Sequence, residues 1–114
     1  MRIVYDKISH EELINMSEKM FGSMVKAVVD IEREIMAVDA DFHADEEFLL
    51  LEQGSQQKHL WGINIHPELV DTEGWIEFDS MINLRPSEGN RSRGVDNPTI
   101  RELIIKIVNK LVTK

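Results

Sequence analysis

Residues Met24–Asp39 read MVKAVVDIEREIMAVD, and the fold class turns on whether they form two strands or one helix. Val25, Val28, Val29, Glu32, Ile35 and Met36 trace a helical stripe, but with a glutamate inside it. Val29, Ile31, Arg33, Ile35 and Ala37 alternate with Asp30, Glu32 and Glu34, as a half-buried strand does, and β-branched residues are dense. The reading adopted is two strands, about Lys26 to Ile31 and Ile35 to Val38, joined by a tight turn near Arg33-Glu34. That turn lacks the glycine or asparagine usual in short hairpins. One long helix is the alternative.

Upstream, Arg2–Tyr5 reads as a short strand. Ser9 opens a helix, because Ser9 with Glu12 makes a capping box and Ile8 with Leu13 a hydrophobic staple. Leu13, Met16, Met20 and Phe21 supply its apolar face, and Gly22 is placed to end it. The Met16, Met20 and Met24 series reads as core filling.

Downstream, HADEEFLLLE from His43 to Glu52 reads as a second helix with Asp45, Glu46 and Glu47 in its first turn, where the dipole favours negative charge. Gly54-Ser55 ends it. LWGINIH, Leu60–His66, alternates as a strand that Pro67 closes. WIEFDSMINL, Trp75–Leu84, alternates too and is expected to pair with it as an antiparallel hairpin. Asn97 caps a third helix with Pro98 in its first position. Ile100, Leu103, Ile104, Ile107, Val108 and Leu111 form its stripe. The expected architecture is α+β: a single mostly antiparallel β-sheet of four to five strands, with an N-terminal helix, a short middle helix and a C-terminal amphipathic helix packed on it.

At 114 residues the chain is expected to be a single domain, 1–114, able to bury one core without staples. It has no cysteine, which excludes disulfides and thiolate chemistry. The N-terminus turns polar after five residues and no apolar run approaches the ~20 residues of a membrane span, so a cytoplasmic location is expected. The net charge of −8 disfavours nucleic acid as a partner.

That charge is unevenly placed. Asp30, Glu32, Glu34, Asp39, Asp41, Asp45, Glu46, Glu47 and Glu52 face a lone Arg33, whereas Arg85, Arg91, Arg93 and Arg101 outnumber Glu88 and Asp96. Segregation of this kind suits a homodimer in which each patch meets the other on a second copy; solvated faces are the alternative.

Two stretches could carry chemistry. NLRPSEGNRSRG, Asn83–Gly94, places Arg85, Arg91 and Arg93 close together. Their planar donor forks suit a carboxylate or phosphate, with Asn90 and Ser92 adding short polar groups, near the start of the last helix. Pairing of the arginines with the acidic block is the structural alternative. His43, Glu46 and Glu47 share a helix side at i, i+3 and i+4, so they are candidates for a metal site, and His43 for a proton carrier. An acidic first turn with a capping histidine is the plainer reading. Asp30, Glu32 and Glu34 read as one solvated strand face, and Trp61 and Trp75 as core or interface anchors. No nucleophile elbow, nucleotide-binding glycine pattern or zincin motif is present, and no cofactor is expected.

KAVVDIEREIMAV, HADEEFLLLEQGSQQKHLWGIN and IEFDSMINLRPSEGNRSRG run close to the pattern of a family of small uncharacterised bacterial and archaeal proteins, a domain of unknown function. From about Lys26 to its end the chain resembles that family. The family commonly has a glycine near the turn where this chain has Arg33-Glu34. The resemblance implies a complete domain and carries no activity, substrate or catalytic residue. The charge segregation and the lack of a catalytic motif make a non-catalytic binding or self-assembly module the leading expectation. The alternative is an enzyme or binding protein for a small anionic metabolite clamped by Arg85, Arg91 and Arg93.

Overall fold

A computed structural model describes residues 1–114. Residues 24–39 are a hairpin: β3 (Val25–Asp30) and β4 (Ile35–Val38) pair antiparallel with Asp30 opposite Ile35. The turn works without glycine because Asp30 organises it. Its Oδ1 accepts the Glu32 and Arg33 amides at 2.9 and 3.0 Å, and its Oδ2 accepts the Ser55 hydroxyl at 2.6 Å. Glu34 takes the left-handed conformation, φ 57°, that closes the loop. Asp30 is thus fully buried rather than part of a solvated acidic face, while Glu32 and Glu34 belong to the turn.

β1 (Arg2–Val4) lies beside β4, β5 (Leu60–Ile65) beside β3, and β6 (Ile76–Glu77) beside β5, giving the order β1-β4-β3-β5-β6 with every pair antiparallel. β6 is short and meets β5 only at Asn64–Glu77 and Ile65–Ile76. The long second strand expected over Trp75–Leu84 is therefore a correction. Ser80 turns the chain into a 3-10 turn at Met81–Asn83 by accepting the Ile82 amide, and the Asn83 side chain takes the strand's place against β5.

Both sheet faces are covered. On one, Ala27, Val29, Met36, Val38, Trp61, Ile63 and Ile65 pack under α1 (His10–Met20), through Leu13, and α3 (Pro98–Leu111), through Ile104, Ile107, Val108 and Leu111. On the other, Val28, Ile35, Ala37 and Leu60 pack under Leu50 of α2 (His43–Glu52). A strand buried on both sides has no polar face, so β3 could not show clean alternation.

The capping box at Ser9 and Glu12 forms, and Asn97 caps α3 through the Thr99 and Ile100 amides. Met20, Phe21 and Leu103, expected in apolar stripes, are exposed instead. A parallel bridge between β2 (Ile8–Ser9) and β7 (Val112–Thr113) ties the α3 end to the α1 start. No helix is long and apolar enough to cross a membrane.

Candidate functional site

On the α2 face a crevice of about 290 Å³ opens between the start of α2, β3, β5 and the chain after β6. Lys26 and Asn64 are register partners on β3 and β5, so both side chains reach it. His43, Asp79, Ser80 and Arg93 complete the polar wall, and Phe42 and Met81 stand among its apolar lining.

His43 is the first residue of α2 and is buried. Its Nε2 donates to the Ile63 carbonyl at 2.7 Å, since a carbonyl can only accept. Burial pushes the ring's pKa down, and the Lys26 charge adds to this. The Ile63 bond, Asp79 and Asn64 act the other way. The ring therefore rests neutral, with its other nitrogen carrying a lone pair.

Asn64 is only 6% exposed. Its Nδ2 donates to Glu77 Oε1 at 3.1 Å and to the Asp79 carbonyl at 3.4 Å, while its Oδ1 has no partner. Asn64 Oδ1 is thus a buried acceptor short of a donor, next to the neutral His43 ring. Asp79 is paired with Arg93 Nε at 2.8 Å. The Lys26 ammonium has no carboxylate partner and sits 5.1 and 5.7 Å from the Phe21 and Phe42 ring centres.

The arginine loop does not converge on one anion. It wraps the β5 edge and divides its cations. Arg93 reaches the His43 crevice. Arg85 turns to the opposite face, stacks 4.1 Å from the Trp61 ring and donates to the Gln57 and Leu60 carbonyls at 2.8 and 2.6 Å. Arg91 is exposed, and its guanidinium makes no ion pair.

The loop's short polar groups are consumed in holding it. Asn90 Nδ2 donates to the Asn83, Ser92 and Gly94 carbonyls, and its Oδ1 accepts the Asp96 amide. Ser92 Oγ donates to Asp96 Oδ1 at 2.5 Å and accepts the Gly94 amide. These bonds leave neither side chain the free ligand group its residue type suggests.

The histidine–glutamate series also separates. His43 faces the crevice, but Glu46 points into the protein, where its Oε2 accepts the Ala40 amide at 3.1 Å. Burial pushes the Glu46 carboxyl up to about 10, so it is neutral at neutral pH. Glu47 is half-buried and raised by burial, with Arg85 and Gln57 drawing it the other way. The i, i+3, i+4 spacing is real, yet the three side chains serve three environments. No group of three or more His, Asp or Glu side chains could hold a metal ion.

Sequence reasoning missed Lys26, Asn64 and Asp79. The signal was present: antiparallel pairing of β3 with β5 sets Lys26 opposite Asn64, on the face that His43 must cover. Trp61 and Trp75 are both buried, and Trp75 Nε1 donates to Asn109 Oδ1 at 3.0 Å.

No curated protein and no solved structure matches the chain. The chain belongs to the family described as "Protein of unknown function (DUF5674)", whose family model matches residues 2–111.

Proposed function

We propose that the domain is a non-catalytic binding module for a small molecule that carries a carboxylate and a hydroxyl or amine donor, held in the His43 crevice. The observation that carries this reading is the unpartnered Asn64 Oδ1. It is a buried acceptor beside the lone pair of a neutral histidine, in a crevice whose wall also bears the unpaired Lys26 ammonium. A buried acceptor left without a donor costs about 1–3 kcal/mol. The oxygen is closed to solvent, so a ligand donor relieves that cost once the Asn64 side chain shifts toward the crevice. The ligand's carboxylate meets Lys26, and its apolar body lies against Phe42 and Met81.

A thermal-shift and calorimetry panel of small hydroxy and amino carboxylates tests this, with matched plain carboxylates and plain amines as controls. A ligand at 100 times its dissociation constant adds about 2.7 kcal/mol of stability. Bifunctional compounds are expected to stabilise the protein, and Asn64→Ala and Lys26→Ala to abolish the shift. Equal response to the plain carboxylates removes the donor role of the ligand.

Self-association is a second reading, favoured by the outer side of α2, where Phe48 is 62% exposed and Leu51 lies nearby in the same helix. Light scattering tests it. A homodimer that Phe48→Ser dissociates supports it, and a monomer at high micromolar concentration rejects it.

A further inference from the structure

We infer that the cavity over Arg85 and Trp61 is a second ligand site, on the opposite face of the sheet from the His43 crevice, and that it takes a phosphate- or sulfate-type oxyanion. The cavity is about 380 Å³, and its lining includes Lys58, Trp61, Arg85, Glu88, Asn97 and Ile100. Its volume falls in the range of small-ligand pockets.

Three observations converge. Arg85 is 8% exposed and has no carboxylate partner, so its charge is buried without a counterion in contact. Burying an unpaired charge is expensive, and an anion offsets that expense. Next, two buried N–H groups in this wall lack acceptors: Arg85 Nε, and Nε1 of Trp61, which is 7% exposed. The unprotonated oxygens of an oxyanion are acceptors, which is what the wall lacks. Finally, Asn97 and Ile100 place the N-terminal end of the 14-residue α3 at the cavity, where the helix dipole favours negative charge. The first amides of α3 are already held by Asn97, so the helix contributes its field rather than its donors.

Among the lining residues Lys58 and Arg85 outnumber Glu88 by one charge, and Glu47, outside the lining but within the field of Arg85, moderates that excess. That suits a single oxyanion group. Trp61 and Ile100 supply an apolar wall, so the oxyanion can be free or can end a small organic molecule. Neither orphan N–H is open to water, so an arriving oxyanion is drawn first by the charge. The Arg85–Trp61 stack must then shift slightly to hand it the N–H groups.

The two tryptophans provide the test. In a ¹H–¹⁵N spectrum of the full chain, the Trp61 indole N–H is titrated with inorganic phosphate and with phenyl phosphate, against sodium chloride at equal ionic strength. Trp75 is the internal reference, because its indole N–H is already bonded to Asn109. The Trp61 signal is expected to move downfield and saturate with the oxyanions while Trp75 stays in place. Tighter saturation with phenyl phosphate identifies an organic phosphate as the preferred source, and equal saturation identifies the free ion. Lys58→Ala is expected to weaken the response severalfold and Glu88→Gln to strengthen it; both residues are exposed, so both variants are expected to fold. A Trp61 signal that ignores the oxyanions, or follows chloride equally, overturns the inference. The His43 ligand panel reads a different cavity, so either site can fail alone.

Discussion

Asn83 holds both polar groups of Gly62: its Oδ1 accepts the Gly62 amide at 2.8 Å, and its Nδ2 donates to the Gly62 carbonyl at 2.9 Å. The side-chain amide does for β5 what a neighbouring strand would do. A third bond, from Nδ2 to the Arg93 carbonyl at 2.9 Å, ties the two ends of the arginine loop together. Gly62 is needed because a Cβ there would lie 2.5 Å from Ser80 Cβ.

Asn83→Ala is expected to strand a buried amide and carbonyl on β5. Each unsatisfied group costs roughly 1–3 kcal/mol, so the variant should lose about 2–6 kcal/mol in urea unfolding. Gly62→Ala is expected to lose about 1–3 kcal/mol by overpacking against Ser80. A loss within the ±0.5 kcal/mol typical of neutral surface changes, for either variant, removes the proposed role of this contact.

The Asn83 substitution also explains what the sequence could and could not disclose. Alternation over Trp75–Leu84 is genuine, but pairing past Glu77 is replaced by an asparagine that imitates a backbone, and side-chain pattern cannot show that. The hairpin at residues 24–39 was legible from its β-branched density, although its two buried faces blurred the alternation. Its turn residue was hidden because Asp30 reads as one more acid in an acidic run. The α3 cap and the Ser9 box were plain because both act within four residues. The arginine loop was legible as a feature but not as a geometry. Whether Arg85 and Arg93 share a cavity depends on which side of β5 each leaves the loop, and that is decided by contacts with Trp61 and Asp79.

Glu46 makes stability fall as pH rises. Its folded pKa of about 10 stands above its unfolded value, so the stabilisation is complete below the unfolded pKa and lost as pH climbs through the folded one. Glu46→Gln keeps an acceptor for the Ala40 amide but has no proton to lose. Between the unfolded pKa and about 10, the variant's stability relative to the parent is expected to grow by about 1.4 kcal/mol per pH unit. Chemical denaturation across neutral to alkaline pH reads the slope directly, whatever constant offset the added N–H brings. Parallel pH curves for the two proteins would mean that Glu46 is ionised in the fold.

His43 acts with the opposite sign. Its folded pKa lies below the unfolded value of about 6.5, so its contribution is present above that pH and is lost as pH falls through the folded pKa. Where the unfolded chain protonates His43 while the folded chain keeps Glu46 protonated, the two proton differences cancel and stability should be nearly flat. His43→Gln retains a donor for the Ile63 carbonyl, so it is expected to remove the acid-side loss and leave the Glu46 slope exposed. NMR titration of the histidine rings gives the independent check: His43 should protonate only below the ordinary histidine range, and a ring titrating above it would reverse the sign.

Asp30→Ala is expected to be the most damaging change in the β3–β4 turn. It removes the acceptor from two backbone amides and from the Ser55 hydroxyl, all beside a fully buried side chain. Arg33 compounds the effect, because it donates to the Gln53 carbonyl and to Ser55 Oγ and so binds the turn to the end of α2. Glu32 and Arg33 are exposed, so water takes over part of their amides' bonding. The cost falls below the full value of about 1–3 kcal/mol for each group, and the loss should reach roughly 2–5 kcal/mol in urea unfolding. Asp30→Asn keeps one oxygen for the two amides but sets an N–H2 against a Ser55 hydroxyl that already receives Arg33. It should therefore lose less, about 1–2 kcal/mol, because the amide acceptor survives. The ordering of the two variants is the sensitive readout. If asparagine is as damaging as alanine, the carboxylate's charge rather than its acceptor geometry holds the turn.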